Sequence, residues 1–321
     1  MDIPLLHVED LRTHFFTSAG VVKAVDGVNF TVARGQILGL VGESGSGKSA
    51  TALSMMRLIP DPPGKIVAGT IRLAGEDVLQ KTAAEMRRIR GERMAMIFQD
   101  PMTSLDPVFT IGQQLVEALR YHRKMRKKVA YEHSIAMLRR VGIPSPEERI
   151  HEYPHQFSGG MRQRAMIAMA LLCDPDLLIA DEPTTALDVT IEAQILDLLR
   201  EIRQTLGTAI MIITHDLRVV VNLCDAVAVM YAGKIVEAGE VHTIFRQPSH
   251  PYTIGLLNSI PTPGRKAALT PIPGRPPNLA HLPPGCSFAP RCLQAMEVCR
   301  QQEPEAYMVG AGHMVKCFLA R

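Results

Sequence analysis

A glycine-rich run ending in lysine and serine, Gly-Glu-Ser-Gly-Ser-Gly-Lys-Ser, occupies residues 42–49. In such a run the backbone N–H groups can wrap phosphate oxygens, the lysine reaches the terminal phosphates, and the serine hydroxyl is placed for Mg²⁺. An apolar stretch precedes the run and a probable helix follows it, and the N-terminus of a helix favours an anion. The run therefore predicts a nucleotide phosphate site made by Gly42, Ser44, Gly45, Gly47, Lys48 and Ser49.

Polar residues that could complete a hydrolytic site follow further apolar runs. Asp181 and Glu182 come directly after the run at residues 177–180. We expect Asp181 to hold the Mg²⁺ shell and Glu182 to polarise the attacking water as a general base. His215 ends another apolar run, and we assign it to the γ-phosphate and to the geometry of the water. Gln99 can bind Mg²⁺ or that water, although alone it would be taken for a polar loop residue.

A second element with small residues, Ser-Gly-Gly-Met-Arg-Gln, occupies residues 158–163. Its small side chains expose N–H groups at the start of a helix predicted over residues 161–172, which makes another anion site. Because residues 42–49 already form a complete phosphate cradle, the second element implies a nucleotide held between two protein molecules. We therefore predict a dimer that opens and closes with ATP.

The apolar pattern predicts an α/β core in which helices pack on a mostly parallel sheet. Continuous apolar runs typical of buried parallel strands occupy residues 37–41, 177–180 and 209–213. The helix after the glycine-rich run is expected to extend through Leu58. Strand-like stretches at residues 5–8 and 28–32 predict an antiparallel β subdomain. Between the second and third runs, one helical face carries Ile191, Ile195, Leu198, Leu199 and Ile202.

The segment around residues 110–170 follows a helical pattern instead. Ile111, Leu115 and Leu119 recur every four residues, and a basic run at residues 123–128 follows them. We predict a helical subdomain, about residues 100–170, inserted in the α/β core. The basic run is interpreted as a solvated surface, with contact to a partner or to lipid headgroups as the alternative.

Size and composition fit one large domain with an appendage. The chain has 321 residues, 46% of them apolar, and its net charge of +3 is too small to indicate a nucleic-acid partner. The N-terminus resembles no secretory signal, and no stretch approaches the roughly 18 apolar residues that a membrane span needs. We therefore expect a soluble protein whose membrane role depends on partners. Eight prolines in residues 261–284 predict a boundary between a nucleotide-binding domain, residues 1–260, and a C-terminal region, residues 261–321.

Together these motifs resemble the ATP-binding subunit of an ABC transporter over nearly the whole chain. The matching motifs are Walker A at 42–49, the Q-loop at Gln99, the signature at 158–163, Walker B at 177–181, the D-loop at 186–188 and the H-loop at His215. The resemblance implies a P-loop NTPase fold and two nucleotide domains packed head to tail. Ser158, Gly159 and Gly160 of one domain then address the γ-phosphate bound by Walker A of the other. Gln163 of the signature and Asp188 of the D-loop are further residues expected to bind ATP. The resemblance also implies an aromatic ring on the adenine, for which Phe15 is the candidate and Phe16 the alternative.

Finer features are similar to the bacterial dipeptide and oligopeptide importers. They are the segments at residues 98–107, 153–157, 181–190 and 250–253 and the proline-rich extension. The resemblance implies a second, non-identical ATPase, two membrane permeases and an extracytoplasmic solute-binding protein, at the cytoplasmic face of the bacterial inner membrane. The alternatives are a nickel or other small-solute importer, a soluble ABC ATPase outside transport, and a scaffold that binds ATP without hydrolysing it. Intact Glu182 and His215 argue against the scaffold.

Four cysteines crowd into the last 36 residues: Cys286, Cys292, Cys299 and Cys317. Four thiolates near one another suit zinc or an iron–sulfur cluster, although a tight C-x₂-C pair is lacking, and unligated thiols are the third possibility. The importer resemblance implies a four-iron, four-sulfur cluster. Without a secretory signal a disulfide framework is not expected. Cys173 and Cys224 sit in apolar surroundings and are interpreted as buried core thiols.

Overall fold

The computed structural model describes residues 3–100, 104–185, 187–259 and 271–321. Its strands are β1 (Leu6–Thr17), β2 (Gly20–Val32), β3 (Ile37–Val41), β4 (Gly64–Leu73), β5 (Glu76–Asp77), β6 (Met94–Ile97), β7 (Leu177–Asp181), β8 (Ala209–Thr214), β9 (Ala226–Tyr231), β10 (Lys234–Glu240), β11 (Tyr307–Gly310) and β12 (His313–Val315). Its α-helices are α1 (Lys48–Met55), α2 (Ala83–Glu92), α3 (Ile111–His122), α4 (Lys127–Arg140), α5 (Pro146–Arg149), α6 (Gly159–Leu171), α7 (Val189–Leu206), α8 (Leu217–Leu223), α9 (Val241–Arg246), α10 (Pro251–Asn258) and α11 (Glu297–Gln301).

Contacts group the chain into two compact units. The first unit comprises Met1–Val32, Ile37–Leu79 and Thr214–Arg321, and the second comprises Ala33–Gln36 and Gln80–Ile213. The C-terminal residues therefore belong to the same compact unit as the glycine-rich run. The domain boundary near residue 261 stays a prediction, and residues 260–270, on which it falls, lie outside the described residues.

An antiparallel sheet with the order β2-β1-β4-β5 lies in the first unit. Strand β1 pairs with β2 from Leu6, opposite Val32, to Thr17, opposite Gly20. The prediction of short strands at residues 5–8 and 28–32 was wrong in extent, because both strands run much further. Register shifts, the first between Val8 and Leu11, interrupt the alternation of apolar and polar residues by which strands are recognised.

The first unit also holds the strands that flank the glycine-rich run. Strand β3 pairs in parallel with β9, and β10, β12 and β11 extend from β9 in antiparallel order. The prediction of a strand at residues 37–41 is confirmed. The helix expected through Leu58 ends instead at Met55, because Arg57 has the left-handed φ of 49°, which a right-handed helix cannot contain. The C-terminal strands β11 and β12 had no signal in the sequence analysis.

The second unit contains three parallel strands in the order β8-β7-β6. Every residue of β7 and β8 is buried, as expected of parallel strands that are covered on both faces. The apolar runs predicted this pair, and each strand is one residue longer than its run. The mostly parallel α/β class is confirmed. Strand β6 is only four residues long, and periodicity did not predict it.

Helices α3 to α6 lie within the segment for which helices were predicted. Ile111, Leu115 and Leu119 on α3 are all buried, so their spacing did mark the packed face. In α7 the predicted face is buried at four positions and half-buried at Ile191. The basic run at residues 123–128 is mostly exposed, which agrees with its interpretation as a solvated surface.

Two further expectations concern single residues and membrane spans. Cys173 and Cys224 are buried, as their apolar surroundings predicted. No helix within the described parts of the chain combines the length and the apolar character that crossing a membrane requires.

Candidate active site

The glycine-rich run joins strand β3 to helix α1 in the first unit, and two of its glycines are sterically required. A Cβ atom on Gly42 would lie 2.1 Å from the carbonyl oxygen of Met230. On Gly47, whose φ is 109°, it would lie 2.1 Å from the carbonyl oxygen of Ala24. The neighbouring backbone segments therefore approach the loop so closely that only glycine fits at these two positions.

Lys48 is buried and its ammonium group is held by the loop itself. Its Nζ donates to the carbonyl oxygens of Gly42 at 2.8 Å and of Glu43 at 2.9 Å. The side chain thus lies back along the loop, with its charge next to the first two loop residues. Ser44 and Gly45 are exposed on the same loop, and Ser49 is exposed in the first turn of α1. The arrangement offers backbone N–H groups, a fixed cation and a hydroxyl to an anionic ligand.

The two phenylalanines proposed for the adenine differ in their surroundings. Phe15 is half-buried, and its ring covers Gly64, where an added Cβ would lie 2.8 Å from the ring. Phe16 is 52% exposed. The assignment of Phe15 to the adenine stays a prediction.

Glu182 directly follows strand β7 in the second unit, and its carboxylate is held by two donors. Oε2 accepts from Nε2 of Gln99 at 3.1 Å and from the hydroxyl of Thr185 at 2.8 Å. The backbone of Glu182 has φ 47°, a left-handed conformation rare outside glycine, and its N–H donates to the carbonyl oxygen of Ile213. This local strain turns the chain immediately after buried Asp181. The carboxylate is therefore fixed in orientation, as a general base requires.

His215 follows strand β8, is exposed, and belongs to the first unit. The next residue, Asp216, caps helix α8 and accepts from the backbone N–H of Arg218 at 2.8 Å. Burial favours a higher pKa for Asp216, but hydrogen bonds from Arg218 outweigh it and leave that pKa below its usual value. Asp216 therefore anchors the backbone next to His215. The contact of His215 with the γ-phosphate stays a prediction.

The element at residues 158–163 begins helix α6 in the second unit. Ser158 is the N-cap, and its hydroxyl accepts from the N–H of Met161 at 3.3 Å. A Cβ on Gly159 would meet no atom within 4 Å, whereas one on Gly160 would lie 3.0 Å from Ile191. Gln163 is buried in α6. The first two residues therefore present small, accessible groups at a helix N-terminus, and their contact with a partner's nucleotide stays a prediction.

We expect Ser158→Ala to affect dimerisation more than stability. Loss of the cap should lower the free energy of unfolding by about 1 kcal/mol. Because the hydroxyl is also predicted to contact the partner's nucleotide, the dimer formed with Mg²⁺ and AMP-PNP should weaken by about tenfold, as sedimentation would measure. Thr110→Ala removes the matching cap of α3, which accepts from Gln113, and should cost similar stability without weakening the dimer. If Ser158→Ala and Thr110→Ala dimerise equally well, the assignment of Ser158 to the partner's nucleotide is wrong.

The D-loop aspartate also has a local structural role. Asp188 is the N-cap of α7, and its Oδ1 accepts from the N–H of Ile191 at 2.9 Å. Ala186, in the same motif, lies outside the described residues. The proximity of Asp188 to ATP stays a prediction.

Sequence reasoning missed two residues beyond position 250, Tyr252 and Arg291, that contact the phosphate loop. Arg291 donates to both carboxylate oxygens of Glu43, at 2.7 and 3.0 Å. The N–H of Glu43 donates to the hydroxyl of Tyr252 at 2.9 Å. These partners are separated from Glu43 by 248 and 209 positions along the chain, so no local pattern could have indicated the contacts.

The four C-terminal cysteines lie in the first unit, where Cys299 and Cys317 are buried and the other two are half-buried. The backbone N–H of Cys286 donates to the carbonyl oxygen of Cys299 at 2.8 Å. Burial raises the pKa of the Cys286 thiol to about 11, with a further contribution from Cys299 and Cys317. Burial also raises the pKa of Cys292 and of Cys317, and nearby cysteines add to both shifts. Among the described residues, no three or more His, Cys, Asp or Glu side chains are arranged to hold a single metal ion.

Comparison with known families identifies the class of protein. The protein-family model described as "ABC transporter" matches residues 25–185. A second family model, described as "Oligopeptide/dipeptide transporter, C-terminal region", matches residues 236–299. The chain belongs to the ABC transporter family of ATP-binding proteins, and it is an ATPase of that family. The resemblance inferred from the motifs is thus confirmed.

Individual relatives within this family are named for the transport of peptides. The chain is 51% identical over 317 residues to the oligopeptide transport ATP-binding protein OppD of Bacillus subtilis, covering 98% of this chain and 88% of that protein. It is 52% identical over 316 residues to the dipeptide transport ATP-binding protein DppD of the same organism, covering 98% and 94%. OppD of Salmonella typhimurium is also 52% identical over 316 residues, with 98% and 93% covered.

Solved structures support the fold. The ATP-binding cassette MJ0796, in a dimeric post-hydrolysis state with ADP and Pi, matches with a TM-score of 0.67 at 22% identity, covering 74% of this chain and 98% of that one. The cassette cbiO1 of Clostridium perfringens, part of the transporter complex cbiONQ, matches with a TM-score of 0.64 at 28% identity, covering 77% and 92%. The P-loop NTPase fold expected from the motifs is therefore confirmed.

Proposed function

We propose that this chain is the ATP-hydrolysing motor subunit of an importer for dipeptides or oligopeptides. The observation that carries the proposal is the fixed carboxylate of Glu182, held by Gln99 and Thr185 at the end of a buried strand. A subunit that only bound ATP would need no oriented base at this position. The chain also resembles, over nearly its whole length, proteins that are named for oligopeptide and dipeptide transport.

In the proposed mechanism each residue group has one task. The loop at residues 42–49 binds the phosphates through its N–H groups and Lys48, and Ser49, Gln99 and Asp181 would hold Mg²⁺. When bound, this ion would neutralise charge that develops on the transferred phosphoryl group. Glu182 accepts a proton from the attacking water, and His215 orients that water and the γ-phosphate.

We further propose that the working unit is a head-to-tail pair of nucleotide domains. The exposed Ser158 and Gly159 at the start of α6 suit an anion supplied by a partner, because small groups at a helix N-terminus expose unpaired N–H donors. Bound ATP would then join the two subunits, and hydrolysis would release them. The partner is expected to be a similar but non-identical ATPase.

A role in peptide import implies further partners at the membrane. We infer two permeases, on whose cytoplasmic side the chain sits, and an extracytoplasmic solute-binding protein that delivers the peptide. The match of residues 236–299 to the oligopeptide and dipeptide transporter C-terminal region favours peptide import over a nickel or other small-solute importer.

Affinity purification of the tagged chain from its native membranes tests the proposed partners. Two permeases and a second ATPase should co-purify, and recovery of the chain alone would count against them.

The C-terminal cysteines are proposed to hold a four-iron, four-sulfur cluster. The proposal rests on the importer resemblance and on the presence of four cysteine thiols within one compact unit, since thiolates are the usual ligands of such a cluster. Cys286, Cys292, Cys299 and Cys317 would be its ligands, with zinc and unligated thiols as the alternatives. Anaerobic purification followed by iron and sulfide analysis should find about four of each per chain. A colourless protein without iron would exclude the cluster, and replacing Cys286 by Ser should reduce the iron content if the ligands are correct.

A further inference from the structure

Glu43, the second residue of the phosphate loop, is held at two points by residues beyond position 250, and its own carbonyl oxygen holds Lys48. Its carboxylate accepts from both terminal nitrogens of Arg291, and its N–H donates to the hydroxyl of Tyr252. Its carbonyl oxygen accepts from Nζ of Lys48 at 2.9 Å. A continuous set of hydrogen bonds therefore runs from residues beyond 250 to the lysine that is expected to contact the nucleotide.

Arg291 is built into the structure and does not project into solvent. Its side chain is only 5% exposed, and it ends a short 3₁₀ helix, Ala289–Arg291. Its Nε donates to the carbonyl oxygen of Pro273 at 2.8 Å, and the guanidinium lies 5.8 Å from the ring centre of Tyr231. Burial alone would lower the pKa of Arg291, but hydrogen bonds to Glu43 and Tyr231 outweigh it and raise that pKa above its usual value. A bidentate pair held this way fixes direction as well as charge.

Tyr252 is equally fixed. It is fully buried, and its ring centre lies 4.6 Å from that of Tyr231 and 5.4 Å from that of Phe288. Its backbone N–H donates to Nδ1 of His250, the N-cap of α10. Burial lowers the pKa of His250 to about 3, so the ring is neutral at pH 7 and can accept that hydrogen bond. The hydroxyl that accepts from the N–H of Glu43 is therefore fixed in position by a tightly packed aromatic cluster.

We propose that Arg291 and Tyr252 are positioning residues of the ATP site. They hold the carboxylate and the N–H of Glu43, so that its carbonyl oxygen keeps Lys48 in line with the phosphate loop. Arg291 and Tyr252 thus set the affinity of the nucleotide site from outside the phosphate loop, in addition to any role of the cysteines. This inference rests on the proposed function, because it requires that residues 42–49 bind ATP.

Binding of AMP-PNP with Mg²⁺, measured by isothermal titration calorimetry on the full chain, tests the inference. Arg291→Lys keeps the charge but cannot make the bidentate pair, and we expect it to raise the Kd by about tenfold. Tyr252→Phe removes only one hydroxyl from the aromatic cluster and should raise the Kd by about threefold to tenfold. In steady-state assays KM for ATP should rise while kcat at saturating ATP stays the same, since neither side chain is expected to touch the reacting atoms.

A double-mutant cycle separates the pair from a general loss of structure. Glu43→Gln and Arg291→Lys should each raise the Kd for AMP-PNP. The Kd of the double variant should not exceed the higher of the two single-variant values, because both changes break the same interaction. If the fold-change in Kd of the double variant equals the product of the two single fold-changes, the two residues do not act as a pair and the inference is wrong.

Two control variants come from the same region. Arg300→Lys alters the exposed pair with Glu297 and should leave the Kd unchanged. Val315→Ala opens space at a fully buried residue of β12 and should lower Tm without changing the Kd. If Arg291→Lys and Tyr252→Phe bind AMP-PNP as the wild type does, the inference is wrong although the proposed function stands. If the wild type itself does not bind AMP-PNP, the proposed function fails and the inference with it.

Discussion

Glu182→Gln should lower the ATPase rate by about 10²- to 10⁴-fold, because an amide cannot accept the proton of the attacking water. The substitution keeps the size of the side chain and one oxygen that can accept from Gln99 and Thr185, which contact Glu182 at 3.1 and 2.8 Å. Binding of ATP should therefore survive while hydrolysis stops. Release of phosphate from the purified protein measures the rate, and sedimentation with ATP should reveal an accumulated dimer.

Glu192→Gln is the matched control for this variant. Glu192 lies on α7 in the same unit, and its carboxylate accepts from the hydroxyl of Thr184 at 3.1 Å. It is expected to have no part in proton transfer, so the control should hydrolyse ATP within about twofold of the wild-type rate. Turnover of Glu182→Gln at the control's rate would refute the assignment of the base.

Gly47→Ala should abolish nucleotide binding and destabilise the first unit. The new Cβ would lie 2.1 Å from the carbonyl oxygen of Ala24 and would sit at φ 109°, so the loop or the β2 backbone must move. A backbone clash together with a forbidden conformation belongs to the most damaging class of substitution, at about 4 kcal/mol or more. We expect a large fall in Tm and a Kd for AMP-PNP raised by at least about 100-fold.

Gly207→Ala provides the comparison without a clash. Gly207 ends helix α7 with φ 67°, and a Cβ there would meet no atom within 4 Å. It should cost only the strain of the left-handed conformation, about 1–2 kcal/mol, and leave nucleotide binding intact. Equal Kd values for the Gly47 and Gly207 variants would show that the close approach at Ala24 does not shape the site.

The parts of the site that could be predicted are those encoded by adjacent residues. The loop at residues 42–49 combines its glycines, lysine and serine in one segment, and the continuous apolar runs before it and before Asp181 mark buried strands without reference to the rest of the fold. Likewise, the spacing of Ile111, Leu115 and Leu119 reports one face of a single helix. Such patterns need only local geometry.

The parts that could not be predicted depend on backbone irregularity or on distant residues. Register shifts in β1 broke its alternation, and the left-handed Arg57 stopped α1 although apolar residues continue beyond it. The pairing of Glu43 with Arg291 joins positions 248 residues apart, and neither residue differs locally from an ordinary surface charge. Only the packing of the C-terminal region in the first unit brings them together.

The central claim, that ATP hydrolysis by this chain drives peptide import, is tested most directly by uptake in its native host. Cells that lack the chain would be complemented with the wild type or with Glu182→Gln at equal protein levels, and uptake of radiolabelled dipeptides, longer peptides and nickel would be measured. We expect wild-type cells to take up peptides of one of these length classes, the Glu182→Gln cells to lose that uptake, and nickel uptake to be the same in both. Undiminished uptake of every peptide in the Glu182→Gln cells would contradict the account.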